Sequence, residues 1–328
     1  MAKKLLPKIL VIVGPTGIGK SSLGMRLAHD FDGEIIGADS RQVYRRMSIG
    51  TAKPSDADRA EIPHHLVDII DPDKRYSLAL FIRDAKQAIH NTKNARARLP
   101  IVVGGTGQYI WGLFEGWQVP QVKPNAKIRD SLERRLELEG LATLYGELQQ
   151  FDQAAAARID RRNPRRVVRA LEVALSSTAS TTTASTNEQQ CATGYDADRA
   201  RKNLPGFDAM VIGVTMERAA LYDCIDNRID VQMADGWLEE VRQLRDNGYG
   251  LQHSALSGLG YAELIRHMDG ELALDEAVQR IKFRTHNYAR KQYNWFRLSD
   301  ERIHWLDAPV SDTEYARLTS DVRAWLEN

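Results

Sequence analysis

Ile9-Leu10-Val11-Ile12-Val13-Gly14-Pro15-Thr16-Gly17-Ile18-Gly19-Lys20-Ser21 is the stretch that decides the fold. Its first five residues are apolar without alternation, as in a strand buried on both faces of a helix-covered parallel sheet. The next eight satisfy G-x-x-x-x-G-K-[ST], and Leu23, Leu27, Ala28 and Phe31 then recur at helical spacing through Lys20 to Phe31. Strand, glycine loop and helix form the context that this motif requires. The glycines let backbone N–H groups face phosphate oxygens, and the helix N-terminus adds positive potential at the same spot. Lys20 is expected to reach the terminal phosphates, and the Ser21 hydroxyl to ligate Mg²⁺.

Working outward, Glu34 to Ala38, Leu66 to Ile70 and Ile101 to Val103 read as further buried strands. Ser77 is a plausible N-cap for a helix reaching Ala95, with Leu80, Phe81, Ala85 and Ile89 on one face. The alternation predicts an α/β fold, a P-loop NTPase-like parallel sheet flanked by helices. After Trp117 the character changes. Val119 to Pro124 reads as a linker, Ile128 to Leu175 is helical by pattern, and the Ser/Thr tract over 176–186 has no apolar period. Ala209 to Val214 is again a buried strand, followed by four helical stretches, the last from about Asp275 to Arg297. The expected division is a catalytic core over 1–118 and 205–328, interrupted by a helical insertion domain over 119–204.

A length of 328 residues fits roughly two domains. With 43% hydrophobic and 27% charged residues the chain is neither disordered nor collagen-like. Lys+Arg 45 against Asp+Glu 44 means that any nucleic-acid surface must come from local clustering. Cys191 and Cys224 cannot supply a disulfide framework or a thiolate zinc site, and His64-His65 has no partner at metal-ligand spacing. Lys3 and Lys4 precede only a short apolar run, no secretory pattern is visible, and no apolar stretch approaches the roughly 20 residues that span a bilayer. A cytoplasmic protein without membrane attachment is expected.

The loop alone leaves its ligand open. It could bind ATP in a kinase or ATPase, or the pyrophosphate of an activated alkyl donor. Asp39, in Ala38-Asp39-Ser40-Arg41-Gln42-Val43-Tyr44, falls at the C-terminal end of the second strand, where open α/β sheets place ligands. In a kinase it would hold Mg²⁺ or act as a base. Gly104-Gly105-Thr106 follows another strand end and would point a hydroxyl at the phosphates.

Taken with Gly50-Thr51-Ala52-Lys53-Pro54, Asn163-Pro164-x-Arg166 through Arg169-Ala170-Leu171-Glu172, Gly258-x-Gly260-Tyr261 and Tyr288-Ala289-Arg290-Lys291-Gln292-x-x-Trp295-Phe296-Arg297, the sequence resembles the bacterial tRNA dimethylallyltransferases (tRNA isopentenyltransferases) from Gly14 to about Arg297. The resemblance implies transfer of a dimethylallyl group from its diphosphate to N6 of adenosine 37 in tRNA. It implies catalytic roles for Asp39, Thr106 and Lys20, with Asp39 as proton acceptor. It implies donor binding by Gly14, Pro15, Thr16, Gly17, Ile18, Gly19, Lys20, Ser21 and Arg228, with Mg²⁺ at Ser21. The tRNA anticodon stem-loop would meet Asp39, Ser40, Arg41, Gln42, Thr106, Arg129, Arg165, Arg166, Val167, Val168, Arg169, Arg290, Lys291 and Gln292. A monomer is expected. Cys224, His286 and Asn294 depart from the family pattern, as does Gly17-Ile18 within the loop. The alternatives are an adenylate isopentenyltransferase making free cytokinin, a P-loop nucleotide or small-molecule kinase, and a tRNA-binding protein without catalysis. A mononucleotide acceptor would not need an arginine-bearing insertion, and the intact loop with Asp39 weighs against mere binding.

Overall fold

The computed structural model describes residues 6–117, 125–178 and 206–328. The linker read over Val119 to Pro124, most of the Ser/Thr tract and Cys191 lie outside them. Six parallel strands, β1 (Lys8–Val13), β2 (Gly33–Gly37), β3 (His64–His65), β4 (Leu99–Val103), β5 (Asp208–Thr215) and β6 (Ile303–Asp307), form one sheet in the order β3-β2-β4-β1-β5-β6. β1 is central, and Ile9 to Val13 are fully buried, as their unbroken apolar run requires. Ile12 pairs with Val103, Gly37 with Val103, and Val13 with Gly213, so β1, β2, β4 and β5 all end at one edge.

The flanking helices include α1 (Lys20–Asp30), α2 (Asp56–Glu61), α3 (Leu78–His90) and α4 (Gly107–Phe114). α2 opens on a reciprocal Ser55–Asp58 capping box. Ser77 caps α3 by accepting from Leu80 N–H, and a π-helical turn over Asn91–Ala95 continues it. The strand expected over Leu66 to Ile70 does not form. Pairing stops at His65 apart from one bridge between Tyr44 and Ile70, because Leu66 and Asp68 take left-handed backbone (φ 63° and 56°), which cannot continue a pleat. That bend delivers the Asp68 carboxylate to Arg59 Nη1 at 2.6 Å and to Lys53, whose side chain is 1% exposed.

The chain divides into two compact units, Met1–Phe114 with Leu204–Asn328, and Glu115–Asn203. The second unit contains α5 (Ala126–Glu139), α6 (Leu141–Phe151), α7 (Gln153–Arg158) and α8 (Pro164–Thr178) around Leu132, Leu144, Leu148, Ile159, Val167 and Leu171. Buried Glu172 receives Arg129 at 2.5 Å, Arg169 at 3.0 Å and Asn125 N–H at 2.8 Å. Burial would raise its pKa, but these partners hold it below the ordinary glutamate value.

In the first unit, α9 (Arg218–Ala234), α10 (Trp237–Asp246), α11 (Tyr261–Met268) and α12 (Leu274–Gln292) follow β5. α12 ends at Gln292, earlier than the expected Arg297. Edge strand β6 and α13 (Asp312–Glu327) complete the unit beyond what periodicity indicates. β6 is short and only partly buried, and α13 is announced by a Ser311–Glu314 capping box.

Glu34, fully buried on β2, accepts from Arg96 Nε and His65 Nε2 at 2.7 Å and from Thr92 Oγ1 at 2.9 Å. Burial opposes the charge, yet these three partners hold its pKa below the usual value. Glu34→Ala is expected to cost about 2–3 kcal/mol, below the range for fully buried pairs because Arg96 and His65 partly reach water. The depressed pKa means that this stability is present above the unfolded value of about 4.3 and is lost as pH falls through the folded value. Urea midpoints should therefore show the gap between wild type and Glu34→Gln closing below about pH 4.

Candidate active site

The C-terminal ends of β1, β2 and β4 each supply one turn to the same edge. Gly14 to Lys20 leave β1, Ala38-Asp39 leave β2 and Gly104-Gly105-Thr106 leave β4. Gly104 N–H donates to Ile12 O, Ala38 N–H to Val103 O, and Thr106 N–H to Ala38 O, so the three turns are cross-linked by backbone. A Cβ at Gly104 would sit 2.2 Å from Ala38 O, which no side chain tolerates. Gly19, with φ 93°, turns the chain into α1 in a conformation that costs glycine little.

These turns line a cavity of about 360 Å³ that includes Thr16 to Ser21, Asp39, Gln42, Thr51 and Arg228. A second cavity of about 330 Å³ shares Thr16, Asp39, Thr51 and Arg228 with the first and adds Ser40, Arg41, Trp237, Arg284 and Tyr288. Asp39 thus stands in the wall common to both.

The charges at that wall are poorly solvated. Lys20 Nζ donates to Pro15 O at 2.7 Å; burial lowers its pKa to about 8, Asp39 opposing and Arg228 assisting the shift. Burial also lowers the pKa of Arg228, against the pull of Asp39, and its Nε has no hydrogen-bond partner. A buried guanidinium N–H without an acceptor, beside a lysine and a glycine loop, suits an anion with several oxygens. Asp39 Oδ1 accepts from Arg41 N–H at 2.7 Å, which fixes the carboxylate. Tyr288, with its pKa raised to about 12 chiefly by burial and also by Asp39, lies against Thr106.

The structure brings Thr16 to Ser21, Asp39, Ser40, Arg41, Gln42 and Arg228 to the two cavities, several of them in structural duties, whereas Gly14, Pro15 and Thr106 line neither. Ser40 N–H donates to Thr106 Oγ1 at 3.2 Å. Arg41 Nη1 donates to Ser254 O and Ala255 O, at 2.7 and 3.2 Å. Gln42 Nε2 donates to Thr51 O and Ala52 O, holding the Gly50–Lys53 turn. Arg290 and Lys291 are exposed on α12, whereas Gln292 is buried. In the insertion, Arg165 and Arg166 are exposed, Arg129 and Arg169 are paired with Glu172, and Val167 and Val168 belong to its core.

Glu240 and Trp237, which spacing does not distinguish, also shape the site, as does Tyr288 of the motif on α12. Glu240 accepts from Ser48, Ile49 and Gly50 N–H and from the Tyr261 hydroxyl, so one α10 carboxylate defines the turn before Thr51. Trp237 fills the space left by Gly50 and Gly260, where a Cβ would lie 2.1 Å from its ring. Tyr288 lies one helical turn from Arg284, which pairs with buried Glu263. Among the described residues no three His, Cys, Asp or Glu side chains gather at metal-binding distance, so hard oxygen donors here reduce to groups such as Ser21 and Asp39. No helix among them is long and apolar enough to cross a membrane.

The family model described as IPP transferase matches residues 42–299, and one described as isopentenyl transferase matches residues 7–64. A Roseiflexus sp. protein named tRNA dimethylallyltransferase is 43% identical over 320 residues, covering 97% of this chain and 99% of that protein. The crystal structure of a tRNA isopentenylpyrophosphate transferase from Bacillus halodurans is 33% identical, with a TM-score of 0.68 and coverage of 98% and 97% of the two chains. A eukaryotic dimethylallyltransferase described as acting on tRNA superposes with a TM-score of 0.73 at 28% identity, over 97% of this chain and 77% of that one. A family model matched over residues 42–299 and 43% identity across 97% of the chain make it a member of the IPP transferase family.

Proposed function

We propose that this protein is a tRNA dimethylallyltransferase, moving the dimethylallyl group of dimethylallyl diphosphate to N6 of adenosine 37 in tRNA. The observation that carries the reading is the pair of cavities meeting at Asp39, one lined by a phosphate loop and the other by aromatic and cationic side chains. N6 attacks C1 of the allyl group, the C1–O bond breaks with its electron pair leaving on pyrophosphate, and the N6 proton passes to Asp39. The amine is a poor nucleophile because its lone pair is delocalised, so a fixed carboxylate that takes the proton as the bond forms lowers the barrier. Charge developing on the leaving group meets loop N–H groups, Lys20, Arg228 and the Thr106 hydroxyl. The donor set fits Mg²⁺, which takes few protein ligands beside phosphate oxygens and water; Ser21 would hold it. Bound there, the ion would neutralise charge on the departing pyrophosphate. The target adenine must leave its stack to reach the second cavity. On the insertion, Arg165 and Arg166 are offered to the anticodon-stem backbone, while Arg129 and Arg169 support them through Glu172.

Labelled dimethylallyl diphosphate and unmodified tRNA should give N6-isopentenyladenosine without ATP hydrolysis. Asp39→Ala should lower kcat by roughly 10²–10⁴-fold at nearly unchanged tRNA affinity. ATP-dependent phosphate transfer without prenylation would overturn the reading in favour of a kinase.

Because burial sets Lys20 near 8, donor binding above that pH must take up a proton. Affinity should be flat from about pH 7, by which phosphate is nearly fully ionised, to about 8, and then fall by up to about tenfold per unit. Calorimetric titration across pH checks this, and Lys20→Arg should flatten the alkaline limb.

Arg165→Ala with Arg166→Ala should weaken tRNA binding and reduce the slope of log affinity against log salt by about one per lost phosphate contact. Donor affinity should stay unchanged. An unaltered slope would mean that neither arginine meets phosphate.

A further inference from the structure

Gln292 is the last residue of α12 and is only 3% exposed, whereas its neighbours Arg290 and Lys291 face solvent. Both ends of its amide are spent inside the protein. Oε1 accepts from Thr16 N–H of the phosphate loop at 2.9 Å, and Nε2 donates to Gly105 O at 2.7 Å. Gly105 is shaped around this contact, since a Cβ there would lie 2.2 Å from Nε2.

The backbone that carries the amide is itself anchored. The Tyr293 and Thr215 hydroxyls lie 3.1 Å apart, tying the end of α12 to β5. Trp295 N–H donates to Gln292 O, and Trp111 Nε1 on α4 donates to Trp295 O at 2.8 Å. From Gly105 the path continues through the next residue, Thr106, whose hydroxyl accepts from Ser40 N–H beside Asp39. One side chain therefore joins the loop that faces the leaving group to the turns that carry Thr106 and Asp39.

We propose that Gln292 is a positioning residue that sets the spacing between the phosphate loop and the Thr106–Asp39 turns, and is not an RNA contact. The inference rests on the first cavity being the donor site. Thr16 N–H, turned toward Gln292, is committed to holding the loop, which leaves the later N–H groups to face the diphosphate. A loop free to shift by an ångström would misplace the C1–O bond relative to Asp39, an error worth about 10²-fold in rate.

Gln292→Met keeps the length of the side chain and removes both hydrogen bonds. It should lower kcat about 10–100-fold, weaken inorganic pyrophosphate binding several-fold, speed hydrogen exchange at Thr16 N–H, and leave tRNA affinity within about twofold. Gln292→Glu keeps an acceptor for Thr16 but donates to Gly105 O only when protonated, so its kcat relative to wild type should rise as pH falls. Should Gln292→Met fail to fold, that pH ratio decides the question. Lost tRNA affinity with unchanged pyrophosphate binding, or a kcat and pH ratio indistinguishable from wild type, would overturn the proposal. Failure of the wild type to bind pyrophosphate would instead remove the donor-site reading on which it rests.

Discussion

The register of the parallel sheet is the constraint from which the site follows. Ile12 opposite Val103 and Gly37 opposite Val103 put the ends of β1, β2 and β4 level. Only then can Gly104 N–H reach Ile12 O and Thr106 N–H reach Ala38 O. A slip of one residue would turn each strand's side chains to the opposite face, and Asp39 would leave the wall that it shares with the loop. In buried strands such as Ile9 to Val13 the alternation of faces gives little register information, because both faces are apolar. The close approach of Gly104 to Ala38 supplies it instead: a larger residue could not occupy that pairing.

Where the sheet cannot hold a loop, a carboxylate under cover does. Glu240 collects three successive backbone N–H groups at the turn before Thr51, and Glu172 joins the start of α5 to Arg129 and Arg169. Glu263 caps Gly260 and holds Arg284, and Asp68 receives both Lys53 and Arg59. Charge-assisted hydrogen bonds are about twice as strong as neutral ones, and a carboxylate accepts several at once. Glu240, Glu172 and Glu263 thereby order backbone N–H groups that neither helix nor strand hydrogen bonds would fix, and Asp68 gathers two cationic side chains.

Much of this was legible in the residues. The strand-loop-helix reading of Ile9 to Phe31, the Ser77 cap and the buried strand after Ala209 rest on local chemistry, and local chemistry is what a sequence displays. The sequence of the Leu66 to Ile70 run misleads because a left-handed Asp68 is favoured by Lys53 and Arg59, which arrive from elsewhere in the chain. Edge strand β6 escapes notice because its five residues, only partly buried, carry neither a continuous apolar run nor clean alternation. Within the site, glycines and Asp39 stand out by motif. Glu240, Trp237 and the inward use of Gln292 depend on partners about 190, 187 and 276 residues away in sequence and leave no local mark.

The positive charges sort into two physical groups. Lys20 and Arg228 sit where burial opposes their charge, so an arriving anion is attracted by cations that water has not already satisfied. Screening by salt reaches such groups weakly. Arg165, Arg166, Arg290 and Lys291 are exposed, where each attracts phosphate modestly and in proportion to ionic conditions. With a net charge of only +1, the chain's attraction for anions is set locally, by desolvation at a few atoms in the first group and by number at a surface in the second.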